Sequence, residues 1–206
     1  MEMAQNTPLR RADIDPDPIK QFYRWLQDAE QAELPQPNAM TLATSSRQGK
    51  PSARIVLLRG FDKRGFAFFT NYESRKGLEL LENPYAALVF CWLPLARQIR
   101  IEGRLERLEP GESDLYFANR PRGHQLEAHA SPQSQIIPDR VCLIKQFEDV
   151  TRRFDGMDVP RPPHWGGYRI IPEMLEFWQE GEHRLHDRLR YRQNGFDEWV
   201  VERLSP

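Results

Sequence analysis

A chain of 206 residues, 39% hydrophobic and 29% charged, is long enough to bury a full core without help from disulfides. Its formal net charge of -1 excludes a protein that depends on nucleic-acid phosphates for affinity, so its basic residues act locally, in a site. The two cysteines, Cys91 and Cys142, form no CxxC pair; they fit a reduced, cytoplasmic compartment and offer no metal or redox motif.

Residues 1–15 are polar, carry Arg10-Arg11 and read as a flexible arm, without the apolar run of a signal peptide. Asp15-Pro16-Asp17-Pro18 sets up a helix start. Ile19, Phe22, Tyr23, Leu26 and Ala29 then recur at helical spacing, which predicts an amphipathic helix over 17–33. From Ala39 the period changes to that of strands. Strands over 39–45, 52–59 and 66–70, with turns at 47–50 and 62–65, form an expected antiparallel meander. Ile55-Val56-Leu57-Leu58 is apolar on both faces and reads as buried, with Arg54 and Arg59 at its ends. A helix over 73–82, a buried strand over 86–93 and a sharply alternating strand over 98–106 follow. Helices are predicted over 111–119, 122–130 and 139–154, the last with Val141, Ile144, Phe147 and Val150 on one face. Closing strands are expected over 165–171, 175–179, 184–192 and 199–204. No stretch approaches the roughly 20 apolar residues that span a membrane. Residues 16–206 thus make a single α+β domain, predominantly antiparallel β, with helices packed around a barrel.

The candidate chemistry lies in clusters of basic residues. Arg184, His186, Arg188 and Arg190 share one face of an extended strand, an arrangement suited to gripping an anionic, planar ligand; a solvated hairpin is the alternative. Arg75 and Lys76 occupy the first turn of a helix, where acidic residues are the rule, which makes sense if a phosphate docks there. Arg54 and Arg59 bracket an apolar strand, so at least one of them needs a partner inside the protein, either a ligand phosphate or an internal carboxylate. Tyr116 lies one helical turn before Arg120 and shares its face. Together these are more cations than one phosphate requires, so two anionic ligands, or one with two anionic ends, are implied. His183 and His186 point to opposite faces of a strand and find no third partner, so no metal site is expected. Trp165, Trp178 and Trp199 read as core, except that Trp178 lies beside the basic strand.

Arg54-Ile-Val-Leu-Leu-Arg59, Phe69-Thr70-Asn71, Ser74-Arg75-Lys76, Arg97-Gln98, Tyr116-Phe117 with Arg120-Pro121, Pro132-Gln133-Ser134, Trp165-Gly166-Gly167, Glu176-Phe177-Trp178-Gln179 and Arg184-Leu185-His186-Asp187-Arg188 occur in this order. As an ordered set over nearly the whole chain, they resemble the pyridoxine/pyridoxamine 5′-phosphate oxidases. The resemblance implies an FMN-binding split β-barrel that works as a homodimer, with each flavin at the subunit interface. It implies that Arg54 and Lys76 hold the FMN phosphate, helped by Arg75, Gln133 and Ser134. Ile55, Val56, Leu57, Leu58, Arg59, Phe69, Thr70, Gln98, Trp178 and Arg188 would line the rest of the flavin. Tyr116, Arg120, Arg59 and His124 would take the substrate phosphate. Arg184 and His186 would be the catalytic pair facing the pyridine ring, with Leu185 between them.

The implied reaction oxidises pyridoxamine or pyridoxine 5′-phosphate to pyridoxal 5′-phosphate, with molecular oxygen as acceptor. Arg59 and His124 stand where the family commonly has lysine and serine, and the N-terminal arm lacks an Arg-x-x-Tyr segment that folds over substrate in relatives. Two other functions share the scaffold: an oxidase of the phenazine-pathway type acting on a large aromatic substrate, and a non-catalytic flavin sensor. The second would keep the FMN residues and lose the substrate ones; this chain retains both sets.

Overall fold

The computed structural model describes residues 8–195 and 198–206. Nine strands form one antiparallel sheet that curls into a split barrel: β1 (Ala39–Ser45), β2 (Pro51–Leu57), β3 (Gly60–Asp62), β4 (Gly65–Asn71), β5 (Tyr85–Trp92), β6 (Arg97–Arg107), β7 (Trp165–Gln179), β8 (Asp187–Gln193) and β9 (Trp199–Arg203). Five helices surround it: α1 (Pro18–Gln31), α2 (Arg75–Glu82), α3 (Pro110–Ala118), α4 (Arg122–Ala130) and α5 (Arg140–Arg153). The order along the sheet is β2-β1-β5-β6-β7-β4-β3, with β8 paired to β7 and β9 to β8.

β7 is the central strand. It pairs with β6 along almost its whole length, with β4 through residues 165–170 and with β8 through residues 174–179. Pro172 suggests two separate strands in the sequence because it lacks an N–H for the ladder. The sheet absorbs it instead, through a register shift between Glu102 and Gly103 on β6. A Cβ at Gly103 would meet the Ile171 carbonyl oxygen at 2.0 Å, so the bulge needs glycine there.

α1 begins at a cap in which the Asp17 carboxylate accepts from the Ile19 N–H (2.9 Å), and Pro18 occupies its first turn. Its apolar face plugs the barrel. The Phe22 ring meets Phe61, Phe66 and Phe90 edge-on at centroid distances of 5.0, 4.8 and 5.1 Å, and Trp25 meets Phe177 at 5.1 Å. A smaller cluster of Phe117, Leu126, Phe154, Val159 and Trp165 lies beneath α3, α4 and α5.

Several expectations are corrected. The meander fails at its middle: β2 pairs with β1, while β4 pairs with the unanticipated β3 and with β7, and a single bond from the Arg59 N–H to the Ala67 carbonyl (2.8 Å) crosses between the two hairpins. β2 is therefore a terminal strand of the sheet. Of the run expected to be buried, only Leu58 is; Ile55 is 65% exposed. On α5, Val141 and Ile144 are exposed and only Phe147 and Val150 pack against the small cluster. The flexible arm expected over residues 1–15 is packed in its second half, where Leu9 and Ile14 are buried in the main core; residues 1–7 lie outside the described residues. Trp165 is buried as expected, whereas Trp178 and Trp199 are only partly so.

Because Phe22 is fully buried among three rings, Phe22→Ala should cost about 3–5 kcal/mol of unfolding free energy. Urea denaturation followed by fluorescence measures this, and a loss below about 1 kcal/mol would contradict a central role for α1 in the core.

Candidate active site

A cleft of about 630 Å³ gathers most of the basic and aromatic residues singled out in the first half of the sequence. Its lining includes Arg54, Ile55, Val56, Leu57, Arg59, Phe69, Thr70, Lys76, Tyr116, Arg120, His124 and Gln133, together with Asn119, Pro121, Glu127 and Trp165. Three aromatic rings form a stack: Phe69 lies 3.8 Å from Tyr116 and 5.5 Å from Trp165, nearly parallel to both. Phe69 sits opposite Gly167 in the β4–β7 ladder. A Cβ on Gly167 would come within 2.9 Å of that ring and 2.3 Å of Leu108, which accounts for the second glycine after Trp165.

The cations fall into two groups. Arg54 and Lys76 form the first. Lys76 occupies the first turn of α2 behind the Ser74 cap, and its Nζ donates to Gln133 Oε1 (2.7 Å), Thr70 Oγ1 (3.1 Å) and Ser74 Oγ (3.3 Å). All three acceptors are neutral. Burial, with the Arg54 guanidinium nearby, pulls the Lys76 ammonium down to about 8. Arg54 Nη1 donates to the Leu42 carbonyl (3.2 Å) and Thr44 Oγ1 (2.5 Å), and its Nη2 to Ser52 and toward Glu79 (3.5 Å). The internal carboxylate considered for Arg54 thus exists.

Glu79 also receives Ser52 and Thr44 hydroxyls at 2.5 Å and Arg75 Nε at 2.9 Å. Burial pushes its carboxyl up, but these hydrogen bonds and the Arg75 charge outweigh that and hold it at about 2. Arg75 points away from the cleft lining and is paired with Glu79; with Ser134 it lines a neighbouring depression that shares Gln133.

Arg59 and Arg120 form the second group, close enough for the Arg59 charge to disfavour that of Arg120. The Arg120 guanidinium lies 4.5 Å over the Trp165 ring, and its Nη1 is buried without a hydrogen-bond partner. Burial lowers its pKa, against the pull of Glu127 and Tyr116. His124 is exposed on the cleft wall.

The remaining expected residues lie outside this cleft in the chain. Gln98, Trp178 and Arg188 oppose one another across β6, β7 and β8 and so form one row. Arg188 is held there by Glu176, whose Oε1 accepts from Arg188 Nε (2.7 Å) and whose Oε2 accepts from Arg100 (3.2 Å). The His186 ring lies 4.7 Å from Trp178, and its Nδ1 accepts from the Gly181 N–H (3.2 Å). The expected common strand face is corrected at this end. Residues 182–184 form a 3-10 turn with His183 and Arg184 in left-handed backbone, and β8 starts only at Asp187, so Arg184 and His186 do not continue the parity of Arg188 and Arg190. Leu185 is 71% exposed. The sequence reading missed Glu79 as an anchor. Its spacing from Arg75 is visible, but an i,i+4 pair looks the same whether solvated or buried.

Comparison with known proteins gives this architecture a class. A family model described as pyridoxamine 5′-phosphate oxidase matches residues 26–154, and one described as the pyridoxine 5′-phosphate oxidase C-terminal dimerisation region matches residues 165–206. PhzG from Burkholderia lata, solved in complex with tetrahydrophenazine-1-carboxylic acid, has a TM-score of 0.90 at 35% identity over 96% of this chain and 98% of its own. An FMN-binding protein from Nostoc punctiforme shares the fold, with a TM-score of 0.74 at 16% identity over 92% of this chain and 98% of its own. The fold is that of the split-barrel oxidoreductases.

The chain is 56% identical over 198 residues to the pyridoxine/pyridoxamine 5′-phosphate oxidase of Cupriavidus metallidurans, covering 96% of this chain and 93% of the relative. It is 54% identical over 195 residues to that of Paraburkholderia phymatum, covering 95% and 92%. It belongs to the pyridoxine/pyridoxamine 5′-phosphate oxidase family, and its last strands are that family's dimerisation region.

The depressed Lys76 ammonium sets a pH dependence for anions in the cleft. A phosphate monoester is dianionic above its second pKa of about 6, so its own charge stays constant as pH rises from neutrality while Lys76 loses its proton. An anion favours the charged lysine; affinity should therefore hold below pH 8 and weaken above it, by up to about tenfold per pH unit. Titration calorimetry with FMN between pH 7 and 9.5 measures this, and Lys76→Met should flatten the profile.

Proposed function

We propose that the protein is an FMN-dependent oxidase that converts pyridoxamine 5′-phosphate or pyridoxine 5′-phosphate to pyridoxal 5′-phosphate, with oxygen as acceptor and hydrogen peroxide as product. The observation that carries this reading is the presence of two cation groups on one cleft, Arg54 with Lys76 and Arg59 with Arg120. Two phosphates, one from the cofactor and one from the substrate, answer to them. The fit is supported by a half-buried ammonium whose hydrogen-bond partners are all neutral and by a guanidinium nitrogen left unpartnered in the interior.

Bound FMN supplies a two-electron acceptor that oxidises the substrate and passes the electrons to oxygen; for the amine, water then replaces the nitrogen, which leaves as ammonia. The side chains supply position and charge. Arg54 and Lys76 hold the FMN phosphate, with Gln133 orienting the ammonium and Arg75 and Ser134 adding support from the adjoining depression. Ile55, Val56 and Leu57 of β2, with Phe69 and Thr70, line the flavin, whereas Leu58 turns into the main core instead. Tyr116, Arg120, Arg59 and His124 take the substrate phosphate, and the Trp165 ring beneath Arg120 keeps that guanidinium from folding away.

In the homodimer, each flavin lies at the interface. The Gln98–Trp178–Arg188 row of one chain completes the cleft of the other, and Arg184 and His186 face the pyridine ring. The exposed β2 edge and the dimerisation region in the last strands support this arrangement. The likeness to PhzG favours a second reading, an aromatic substrate without phosphate. Against it stands the Arg59–Arg120 pair, whose double positive charge matches a phosphate dianion better than the single carboxylate of such a substrate.

The deciding experiment is anaerobic addition of pyridoxamine 5′-phosphate to the purified, FMN-loaded protein. The flavin band should bleach, and pyridoxal 5′-phosphate should appear when air is readmitted; a yellow protein that does not bleach overturns the reading. Arg120→Ala should raise KM for the phosphorylated substrate by at least about tenfold and leave FMN affinity within about twofold. Loss of flavin instead would mean that the two anion groups serve the opposite ligands.

A further inference from the structure

The turn that carries Arg184, Leu185 and His186 is short of internal support. His183 and Arg184 adopt φ values of 53° and 63°, which L-residues disfavour. Within the turn the Leu185 N–H donates to the Glu182 carbonyl (2.9 Å), the Gly181 N–H donates to His186 Nδ1 (3.2 Å), and the Leu185 side chain is left exposed. Strained backbone persists where the surroundings over-determine it.

Those surroundings begin at the next residue. Asp187 Oδ2 accepts from the Leu9 N–H (2.9 Å) and its Oδ1 accepts from Arg203 Nη1 (2.5 Å). Arg203 Nη2 closes the ring by donating to the Leu9 carbonyl (2.7 Å). Three distant parts of the chain thus meet: the N-terminal segment, the first residue of β8 and the last residue of β9. The Leu9 side chain is buried in the main core, so the ring is anchored rather than adrift at the surface. A second fastening follows along β8, where the Tyr191 hydroxyl donates to the Asp15 carbonyl (2.6 Å). A solvated Asp–Arg pair contributes little by itself, but here the carboxylate also takes a backbone N–H, and both of its oxygens are committed.

We propose that Asp187 and Arg203 are positioning residues: with the Leu9 backbone they clamp the 182–186 turn, so that Arg184 and His186 meet the substrate in one fixed geometry. This role rests on the reading above that those two side chains face the substrate ring. The clamp also gives residues 9–15 a purpose in the site although none of them touches the cleft.

The test compares wild type, Asp187→Ala, Arg203→Met, the double variant and Arg203→Lys. Asp187→Ala should slow anaerobic flavin reduction by pyridoxamine 5′-phosphate about tenfold to a hundredfold, the scale of a small misplacement of reacting groups. FMN affinity should stay within about twofold, since the clamp lies away from the phosphate grip. Amide hydrogen exchange over 182–186 should accelerate at least about tenfold. The double variant should be no worse than Asp187→Ala, and Arg203→Lys should recover part of the Arg203→Met loss. Unchanged exchange in the turn, an unchanged reduction rate in an active enzyme, or parallel loss of flavin would each overturn the proposal. If wild type does not oxidise this substrate at all, the functional reading fails separately, and amide exchange alone then decides whether the clamp holds the turn.

Discussion

The hydrogen bonding of β7 is the constraint on which the rest of the structure depends. One 15-residue strand serves β6 along one side and, in succession, β4 and β8 along the other. Its first half fixes Phe69 and Thr70 at the cleft through the β4 ladder; its second half fixes Trp178 beside Gln98 and Arg188. The distance between these two sets is therefore built into a single strand, and a break at Pro172 would uncouple them. The bulge at Gly103 prevents that break by letting β6 step around the residue that cannot donate.

Electrostatics imposes the second requirement. A site for anionic ligands must hold several cations together before the ligand arrives, and like charges at close range repel. The fold uses two devices. Some arginines have buried carboxylates beneath them: Glu79 under Arg54 on β2 and Arg75 at the start of α2, Glu176 under Arg188 and Arg100 on strands. Where no carboxylate is hydrogen-bonded to it, the cation is held by neutral or aromatic groups, as with Lys76 on Gln133 and Arg120 over Trp165. The second device leaves charge uncompensated, and those are the positions where an anion gains most.

Local order was largely readable from the sequence because its causes are local. The α1 start is written in Asp17-Pro18, and the helical spacing of Phe22, Leu26 and Ala29 marks the face that plugs the barrel. Strand limits for β1, β5 and β6 follow from alternation and from the turns between them. The errors fall where partners, not propensity, decide. Ile55 to Leu57 looked like core, yet β2 ends the sheet and little of this chain covers it. Val141 and Ile144 have helical spacing toward a core that α5 reaches only with its C-terminal half.

The sequence by itself determined which residue types are available to the site and in what order, and that ordered set of arginines, aromatics and glycines carries the family. Only the tertiary structure decided which of them meet. Register across β6, β7 and β8 put Gln98, Trp178 and Arg188 in one row although 90 residues separate the first from the last in the numbering (188 minus 98). The turn at His183 and Arg184 broke the strand parity that sequence alternation implied, because left-handed backbone at non-glycine residues leaves no mark in composition. Asp187 found Leu9 and Arg203 for the same reason. Pairing between distant segments depends on the path of the whole sheet, and a pattern that repeats every second or fourth residue carries no information about that path.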